Sequence, residues 1–484
     1  MRPLLIAALI MIPAAAPAQL RRLTRADSAL IGRILHAEDA RDSADTALSS
    51  GLRHSDAGVR ALAQRARARI ADPKFESRDS LPTPGLPPQS HPVWPEPAWR
   101  IRYRRLTTSS DCLALTAAVA DSAWPVRLRA ADLVSARCAE DAALRQTLAD
   151  WIARLPSRAG RRDAGGISWQ AAAHAIVALA RARPADARVP LRRLVRHSQW
   201  QVRMYAAQAA SALGDTAALR TLARDENDNV KAASIDLLSK LTGHADDDVF
   251  LAAVTAHGAQ AVRAAALALA GSSRPDVHAA ASAAFDRWSA LENAPARDTR
   301  VALLAAAGRP ASDERPPRVR AEVPPDAVAL ALGRDVRLRV GMSPSSGGGS
   351  FVVRLRGDVA PITSARILSL VRAHYYDGLS WHRVEPDFVI QGGSPEATEY
   401  VGYPRYFRDE LGTVPHVRGT VGMSTRGHDT GDGQWFVNLR DNLRLNGDYT
   451  LFGEVLDGID VVDGILEGDT IATIRLIPSS TSRH

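Results

Sequence analysis

The spacing of apolar residues changes once along this 484-residue chain, and that change constrains its fold more than any other feature. Between about residues 20 and 305, apolar residues recur every three or four positions, as in Val202, Ala206, Ala209 and Leu213, which is typical of a buried helix face. From about residue 327 they alternate, as in segment 336–340, which is typical of strands. The chain is therefore predicted to be multidomain, with an all-α region followed by a mostly-β domain.

A short repeated unit organises the helical region. In each copy a polar turn precedes a valine and a basic residue, and an alanine-rich helix follows. The copies are centred on Val59, Val126, Val202, Val230, Val262 and Val277. Spacings of 28 and 32 residues separate Val202, Val230 and Val262, as expected for a solenoid. The pattern resembles HEAT-type repeats, so we predict a HEAT-like repeat domain over residues 19–305, in which the arginines after the valines support neighbouring repeats.

The first 18 residues have the features of a secretory signal. Arg2 precedes an apolar core over residues 4–12, and Ala16-Pro17-Ala18 provides small residues for cleavage. We therefore predict cleavage after Ala18 and an exported chain, periplasmic or secreted; the alternative is a buried N-terminal helix. The apolar core is too short to span a bilayer, and no later stretch approaches the roughly 20 apolar residues required, so no membrane span is predicted.

Two proline-rich segments interrupt the pattern. Residues 78–99 contain seven prolines, which predicts an extended segment, and residues 306–326 are predicted to be a proline-rich linker before the domain at 327–484.

The two cysteines of the chain, Cys112 and Cys138, lie 26 residues apart. In an oxidising compartment they could form a disulfide worth roughly 3–4 kcal/mol, or they could be two buried small apolar residues; the spacing leaves both open.

The two predicted parts of the chain differ in net charge. Residues 327–484 contain 16 arginines, no lysine and 19 acidic residues, a net charge of −3; since the whole chain carries +8, the preceding residues carry +11. A basic solenoid is compatible with nucleic acid or an anionic membrane surface as a partner. Export and the lack of a basic-aromatic motif argue against nucleic acid. We therefore predict a solvated arginine-rich surface and no nucleic-acid partner.

The segment 381–393 contains the residues with the clearest chemical potential. Arg383 and Gln391 lie eight residues apart, and the residues from Phe388 to Gln391 are predicted to form a strand. In that strand Phe388 and Ile390 would face one way, and Val389 and Gln391 the other. Gly392-Gly393 would end it. An arginine and an amide beside an apolar strand can hold a peptide carbonyl or amide nitrogen without covalent chemistry.

Three segments resemble the cyclophilins, the peptidyl-prolyl cis-trans isomerases. The first is 381–393, with its aromatic-His-Arg, Pro-x-Phe and Gln-Gly-Gly pattern. The second comprises Gly419 to Gly427 and Gly433 to Val437, and the third is 443–453. The resemblance covers roughly residues 335–475 and implies a closed antiparallel barrel capped by helices. One helix is predicted at 361–374, after a first hairpin of segments 336–340 and 351–356.

By this resemblance the catalytic residue is Arg383. The residues implied to bind substrate are Phe388, Val389, Gln391, Ser424, Thr425, Gln434, Phe436, Leu445 and Tyr449. Ser424, Thr425 and Tyr449 replace the family's usual Ala, Asn and His. Arg444 stands where eukaryotic members often have Trp, which leaves binding of the inhibitor cyclosporin open. His382 is predicted to be a hydrogen-bonded structural histidine and not a general base.

The resulting prediction is an exported peptidyl-prolyl isomerase that acts on proline-containing unfolded or extended polypeptides. Rotation about an amide needs neither a nucleophile nor a metal nor a cofactor, and we predict none of these. The helical repeats are predicted to bind clients or a protein partner. The alternative is a non-catalytic module that binds proline peptides on a HEAT-repeat scaffold.

Overall fold

The computed structural model describes residues 24–72, 92–155, 169–291, 296–314 and 321–477. The predicted signal segment 1–18 lies outside these ranges, as do residues 78–91 of the proline-rich segment and residues 315–320 of the linker. The helices of the first region are α1 (Arg25–Ala40), α2 (Thr46–Leu52), α3 (Ala57–Ala71), α4 (Ala98–Arg105), α5 (Cys112–Ala118), α6 (Trp124–Leu133), α7 (Ala142–Ala153), α8 (Trp169–Ala182), α9 (Pro184–Leu194), α10 (Trp200–Ala212), α11 (Thr216–Leu222), α12 (Asp228–Thr242), α13 (Asp247–Val254), α14 (Ala259–Leu269), α15 (Pro275–Ser289) and α16 (Arg297–Ala306).

The second region begins with the short helix α17 and consists mainly of strands. Its helices are α17 (Ala327–Ala331), α18 (Pro361–Arg372) and α19 (Ile459–Asp463). Its strands are β1 (Arg337–Met342), β2 (Ser350–Leu355), β3 (Arg383–Val384), β4 (Val389–Gly392), β5 (Thr420–Met423), β6 (Trp435–Asn438), β7 (Leu451–Asp457) and β8 (Ile471–Ile477). The predicted succession of an all-α region and a mostly-β region is confirmed, and the first strand begins at Arg337.

Helices α6 to α16 form a stack of helical pairs. The even-numbered helices α8, α10, α12, α14 and α16 pack in succession, and α9, α11, α13 and α15 lie beside them. All six valines that mark the repeated unit lie at or near helix starts, in α3, α6, α10, α12, α14 and α15. Because alanine lets helix backbones approach closely, the core is rich in it, and Ala206 and Ala209 of α10 are fully buried. The predicted all-α fold is confirmed; its assignment to the HEAT class stays a prediction.

The turns before these helices explain where they begin. The Asp56 carboxylate accepts hydrogen bonds from the backbone N–H groups of Gly58 and Val59, and the Asn227 side chain caps α12 in the same way. Arg203, after the repeat valine of α10, forms an ion pair with Asp225 at 2.7 Å. That pair ties one helical pair to the turn before the next, as predicted for Arg203, whereas Arg263 contacts the Tyr400 ring of the β domain instead of a neighbouring repeat.

A disulfide joins Cys112 to Cys138, with 5.5 Å between the two Cα atoms. Cys112 begins α5, and Cys138 lies in the short turn after α6, so the bond fastens the start of α5 to the turn that follows α6. Of the two alternatives that the spacing left open, the structure has the disulfide.

The eight strands form one antiparallel sheet in the order β3-β4-β6-β5-β7-β2-β1-β8. The predicted first hairpin is present, with Leu338 of β1 opposite Val353 of β2. Beyond the two edge strands, residues 378–381 exchange backbone hydrogen bonds with residues 468–471, and Ser380 bridges Thr470. The sheet therefore curls round on itself, and the predicted barrel-like β domain is confirmed. Helix α18 begins at Pro361, as predicted, and covers the barrel core.

Helices α1–α3 belong to the same hydrophobic core as the barrel. Buried residues such as Ile34 and Leu62 join one apolar cluster with Leu330 of α17 and the barrel interior, whereas residues from Leu106 to Ala306 form another. Buried charges connect the same helices. The Glu38 carboxylate pairs with Arg65 at 3.1 Å and with Arg69 at 2.6 Å. The first three helices thus pack as part of the C-terminal β unit.

Among the described residues, the search for a helix long and apolar enough to cross a membrane finds none.

Candidate functional site

Arg383 and Gln391 lie directly opposite each other on β3 and β4. Residues directly opposite in antiparallel strands have side chains on the same face, which explains how an eight-residue separation becomes a contact. The Arg383 Nη1 group donates to the Gln391 Oε1 atom at 3.3 Å. The Arg383 side chain is 37% exposed, whereas Gln391 is buried. The pair therefore presents a fixed cation at the surface of the sheet.

Arg383 and Gln391 begin a row of hydrogen-bonded polar side chains, the polar row, and a second glutamine, Gln434, continues it. The Gln391 Nε2 group donates to the Oε1 atom of Gln434 at 3.3 Å, and Gln434 donates in turn to the Glu399 carbonyl at 3.1 Å. The Ser424 N–H group donates to the Gln434 carbonyl at 2.9 Å. Gln434 is buried, so the row links β4, the start of β6 and the residue after β5 through satisfied hydrogen bonds.

A small apolar cluster, the pocket, lies beside the polar row. Val389, Phe436 and Leu445 form a small buried cluster separate from the two large cores, and Phe388 and Tyr449 pack against it. The rings of Phe436 and Tyr449 meet edge to face at 5.7 Å between centroids. All five residues were predicted to bind substrate.

Glycine makes room for the aromatic wall of this pocket. On β5, a Cβ atom at Gly422 would lie 2.4 Å from the Phe436 ring. Gly393 after β4 has a φ of +95°, and a Cβ there would lie 2.8 Å from the Gly433 carbonyl. Both positions therefore require glycine.

Phe388 does not follow the predicted alternation of side chains between the two faces of the strand. Strand β4 begins at Val389, and Phe388 lies in the preceding bend, where the backbone N–H of Phe388 donates to the Glu385 carbonyl at 2.8 Å. As a result Phe388 packs in the same pocket as Val389, whereas Ile390 faces the barrel core. The predicted shared face of Phe388 and Ile390 is therefore wrong, because the turn rotates Phe388 before the strand starts.

His416 belongs to the pocket but was not predicted. Its ring stacks on Phe436 with 5.8 Å between centroids, and its Nε2 atom lies 3.0 Å from the Tyr449 carbonyl. Burial lowers the pKa of His416 below its ordinary value, so the ring is neutral near pH 7. The segment 411–418 carries no recognised motif, and a lone histidine in a loop offers no sequence signal for this position.

Two glutamates beside Arg383 were also missed. The Nε atom of Arg383 lies 3.2 Å from the Oε1 atom of Glu399, and its Nη2 group donates to Glu385. Glu385 is two residues from Arg383, but Glu399 comes from the loop after β4, which no pattern connected to the arginine. On the other side of the pocket, the Arg444 guanidinium lies 4.3 Å from the centre of the Phe388 ring.

His382 has the character of a structural residue. Burial is the main cause that lowers the pKa of His382 to about 4, and both ring nitrogens are shielded from solvent. A ring with this pKa is neutral at pH 7 and is a poor proton donor there. His382 is therefore a buried residue of structural character, but the predicted hydrogen bonding is wrong, because neither ring nitrogen has a hydrogen-bond partner among the described residues.

Contacts connect nine of the ten predicted site residues. The polar row contains Arg383, Gln391, Gln434 and Ser424, and the pocket holds the other five. The Arg383 guanidinium lies 6.0 Å from the Phe388 ring centre, so the row and the pocket adjoin. Thr425 enters the site through its peptide bond to Ser424 and is half-buried. Such a site can bind an apolar ring while a cation faces an adjacent amide.

No group of three or more histidine, cysteine, aspartate or glutamate side chains within the described ranges is arranged to hold a metal ion.

Comparison with known proteins identifies relatives of the β domain. The family model described as "Cyclophilin type peptidyl-prolyl cis-trans isomerase/CLD" matches residues 339–479. "Peptidyl-prolyl cis-trans isomerase B" of Bacillus subtilis is 34% identical over 131 residues, 27% of this chain and 92% of that protein. "Peptidyl-prolyl cis-trans isomerase-like 1" of Homo sapiens is 37% identical over 147 residues, 27% of this chain and 87% of that protein.

Part of the chain also matches a solved structure. A crystal structure of a Cryptosporidium parvum cyclophilin type peptidyl-prolyl cis-trans isomerase matches with 24% sequence identity and a TM-score of 0.28. The match covers 30% of this chain and 98% of that chain.

Proposed function

The C-terminal domain of this chain belongs to the cyclophilin-type peptidyl-prolyl cis-trans isomerases, and on that premise we propose that the chain is an exported isomerase of proline-containing polypeptides. The observation that carries this proposal is the Arg383–Gln391 pair beside the pocket of Val389, Phe436 and Leu445. The substrates are unfolded or extended chains, since a proline must enter the pocket with its flanking backbone accessible.

The chemistry follows from the barrier to rotation. Amide resonance opposes it by about 18–20 kcal/mol, and in the twisted state the prolyl nitrogen becomes pyramidal and basic. The Arg383 guanidinium, directed at that nitrogen, stabilises the twisted state more than the planar one. Gln391 holds the guanidinium in place, and the pocket holds the proline ring. These residues together accelerate rotation without forming a covalent bond.

The direct test is an isomerisation assay on the full chain with a proline peptide. Wild type should accelerate cis-trans exchange, and Arg383→Ala should lower kcat/KM by roughly 100-fold or more, as for loss of a key transition-state donor. Arg383→Lys keeps the charge but not the planar fork, so it should restore activity only in part. If wild type bound the peptide without accelerating its exchange, the domain would be a proline-peptide binding module instead.

Export is supported by two separate features. The N-terminal residues have a charged start, an apolar core and Ala-Pro-Ala at 16–18. The Cys112–Cys138 disulfide fits an oxidising compartment. Mass spectrometry of the chain from a secreting host should find an N-terminus at Gln19. An intact N-terminus on a cytoplasmic protein would contradict export.

We further propose that the helical stack, of HEAT type, binds clients or a partner protein. Helix α4, which packs against α6 of the stack, contacts the β domain close to the site: Arg100 donates to the Pro386 carbonyl at 2.8 Å, and Arg104 pairs with Asp387 at 2.8 Å. A client in the pocket would therefore lie near the stack. Affinity capture with the full chain and with Arg383→Ala should retain the same extended polypeptides, because binding by the stack does not need the catalytic arginine. Loss of all capture in Arg383→Ala would oppose this part of the proposal.

A further inference from the structure

The helical stack holds the loop that follows β4. The Nδ2 group of Asn229 on α12 donates to the Glu396 carbonyl at 2.7 Å. On α14, Gln260 donates to the Thr398 hydroxyl, and the Arg263 guanidinium lies 3.8 Å from the centre of the Tyr400 ring. These three contacts occur within five residues of the loop, so helices α12 and α14 restrain its backbone and one aromatic ring.

The same loop is held from its other side. Arg426 donates to the Glu399 carbonyl and forms an ion pair with Asp298 of α16 at 2.8 Å. Gln434, part of the polar row, donates to that carbonyl at 3.1 Å. The backbone of Glu399 is therefore fixed between the helical stack and the catalytic site.

Glu399 is also the residue whose side chain reaches the catalytic arginine. Its Oε1 atom lies 3.2 Å from the Arg383 Nε atom, while Gln391 binds Nη1 of the same guanidinium. The Glu399 side chain is 44% exposed, so burial does not hold it in one rotamer. Its position depends on the loop backbone, and the loop is held by the stack.

Arg263 has a different contact partner from Arg203, the equivalent arginine of another repeat. Arg203 and Arg263 both follow a repeat valine, at the starts of α10 and α14. Arg203 pairs with Asp225 inside the helical stack, whereas Arg263 stacks on Tyr400 of the β domain. Cation–π stacking at such a partly exposed site is directional, so it orients the loop residue next to Glu399.

We propose that the helical stack positions the catalytic guanidinium through this loop, with Arg263 and Glu399 as positioning residues. The proposal rests on the isomerase function of Arg383. A cation that stabilises a twisted amide is effective when it is oriented before the substrate arrives. Glu399 fixes the Nε edge of the guanidinium, Gln391 fixes Nη1, and α14 holds the loop that carries Glu399. The stack thereby becomes part of the catalytic apparatus.

The test measures kcat and KM of the full chain with a proline peptide. Arg263→Ala, Tyr400→Ala and Glu399→Gln should each lower kcat by about 3- to 10-fold and leave KM nearly unchanged, the size expected for coupled side chains. Tyr400→Phe keeps the ring and should retain wild-type kcat. Arg224→Ala, which removes an exposed arginine of the same stack, is the matched control and should leave both constants unchanged.

A double-mutant cycle separates positioning from a general effect on folding. Because Arg263 acts through Glu399, Arg263→Ala with Glu399→Gln should lose no more activity than Glu399→Gln alone. Additive losses, a raised kcat, or an Arg263→Ala variant equal to Arg224→Ala would each overturn the inference while wild type stays active. An inactive wild type would instead overturn the proposed isomerase function.

Discussion

Two leucines in one short turn differ sharply in their surroundings. Leu445 is 8% exposed and belongs to the pocket with Phe436, whereas Leu443 is 58% exposed on the opposite side of the turn. The pocket is proposed to hold the proline ring, so the two positions should differ in function although they share chemistry and local structure.

Leu445→Ala should lower kcat/KM by roughly tenfold or more, because it removes apolar contacts to the substrate ring. Leu443→Ala changes the same residue type two positions away and should leave kcat/KM unchanged. Both would be measured in a proline-peptide assay. Equal effects of the two substitutions would show that Leu445 does not line the substrate site.

His382 should make stability depend on pH. Its pKa is about 4 in the folded chain against an ordinary 6.5, so between these values the unfolded chain binds a proton that the folded chain does not. The free energy of unfolding should therefore fall as the pH drops from 6.5 to 4, by about 3 kcal/mol in all.

Chemical denaturation of wild type and His382→Asn at pH 7 and pH 4 checks this sign. Asp409, whose pKa burial raises to about 6, acts in the opposite direction but is present in both proteins. The difference between the two proteins isolates His382. A wild-type stability that fell no more steeply than that of His382→Asn would contradict a neutral buried ring.

At the scale of elements, helix α3 shows how a charged helix face becomes interior. Arg69 donates to the Leu411 carbonyl at 2.7 Å and the Val359 carbonyl at 2.9 Å, in addition to its pair with Glu38. Burial alone would raise the pKa of Glu38, yet Arg65 and Arg69 hold it below its ordinary value. The helix is therefore joined to the β domain by ionised groups.

Arg69→Met should destabilise the chain by about 3–5 kcal/mol, because it leaves buried acceptors and part of the Glu38 charge uncompensated. Arg67→Met, on the exposed face of the same helix, should change stability by less than about 0.5 kcal/mol. Denaturant midpoints of the two variants provide the measurement. Similar midpoints would mean that the buried network contributes little to folding.

At the scale of the whole molecule, the helices that come first in the sequence pack against the domain that comes last. The first three helices precede the helical stack in the chain but share the core of the β domain, which begins some 250 residues later. Among the described residues, Trp94 also packs against this core, and after the stack the chain contacts the core again from Val323 onward.

Removal of residues 1–72 should expose the apolar surface that Ile34 and Leu62 cover. The truncated chain should bind more of a fluorescent apolar dye and unfold at lower denaturant than the full chain, as expected when buried apolar area is lost. Adding a peptide of residues 24–72 should reduce dye binding. An unchanged midpoint would show that the β unit does not need α1–α3.

Much of the β domain was predictable because the sequence patterns that indicate it involve only neighbouring residues. Alternating residues in β1 and β2, Pro361 at the start of α18 and the motif segments all depend on a few neighbouring positions. The same holds for the nine connected site residues, which lie in three short segments. Phe388 was placed on the wrong face because a turn, whose geometry the alternation does not describe, precedes β4.

By itself the sequence determined the two fold classes and the repeat starts through periodicity, which acts over short distances, and three short segments resembling the cyclophilins implied the residues of the polar row and pocket. The tertiary structure decided what lies beside Arg383 and which unit α1–α3 join. Glu399 and His416 meet the site from segments without a recognisable pattern, and Arg263, although it follows a repeat valine, stacks on Tyr400 of the β domain. Contacts between residues far apart in the chain depend on how whole helices and strands pack against one another, and the local sequence does not determine that packing.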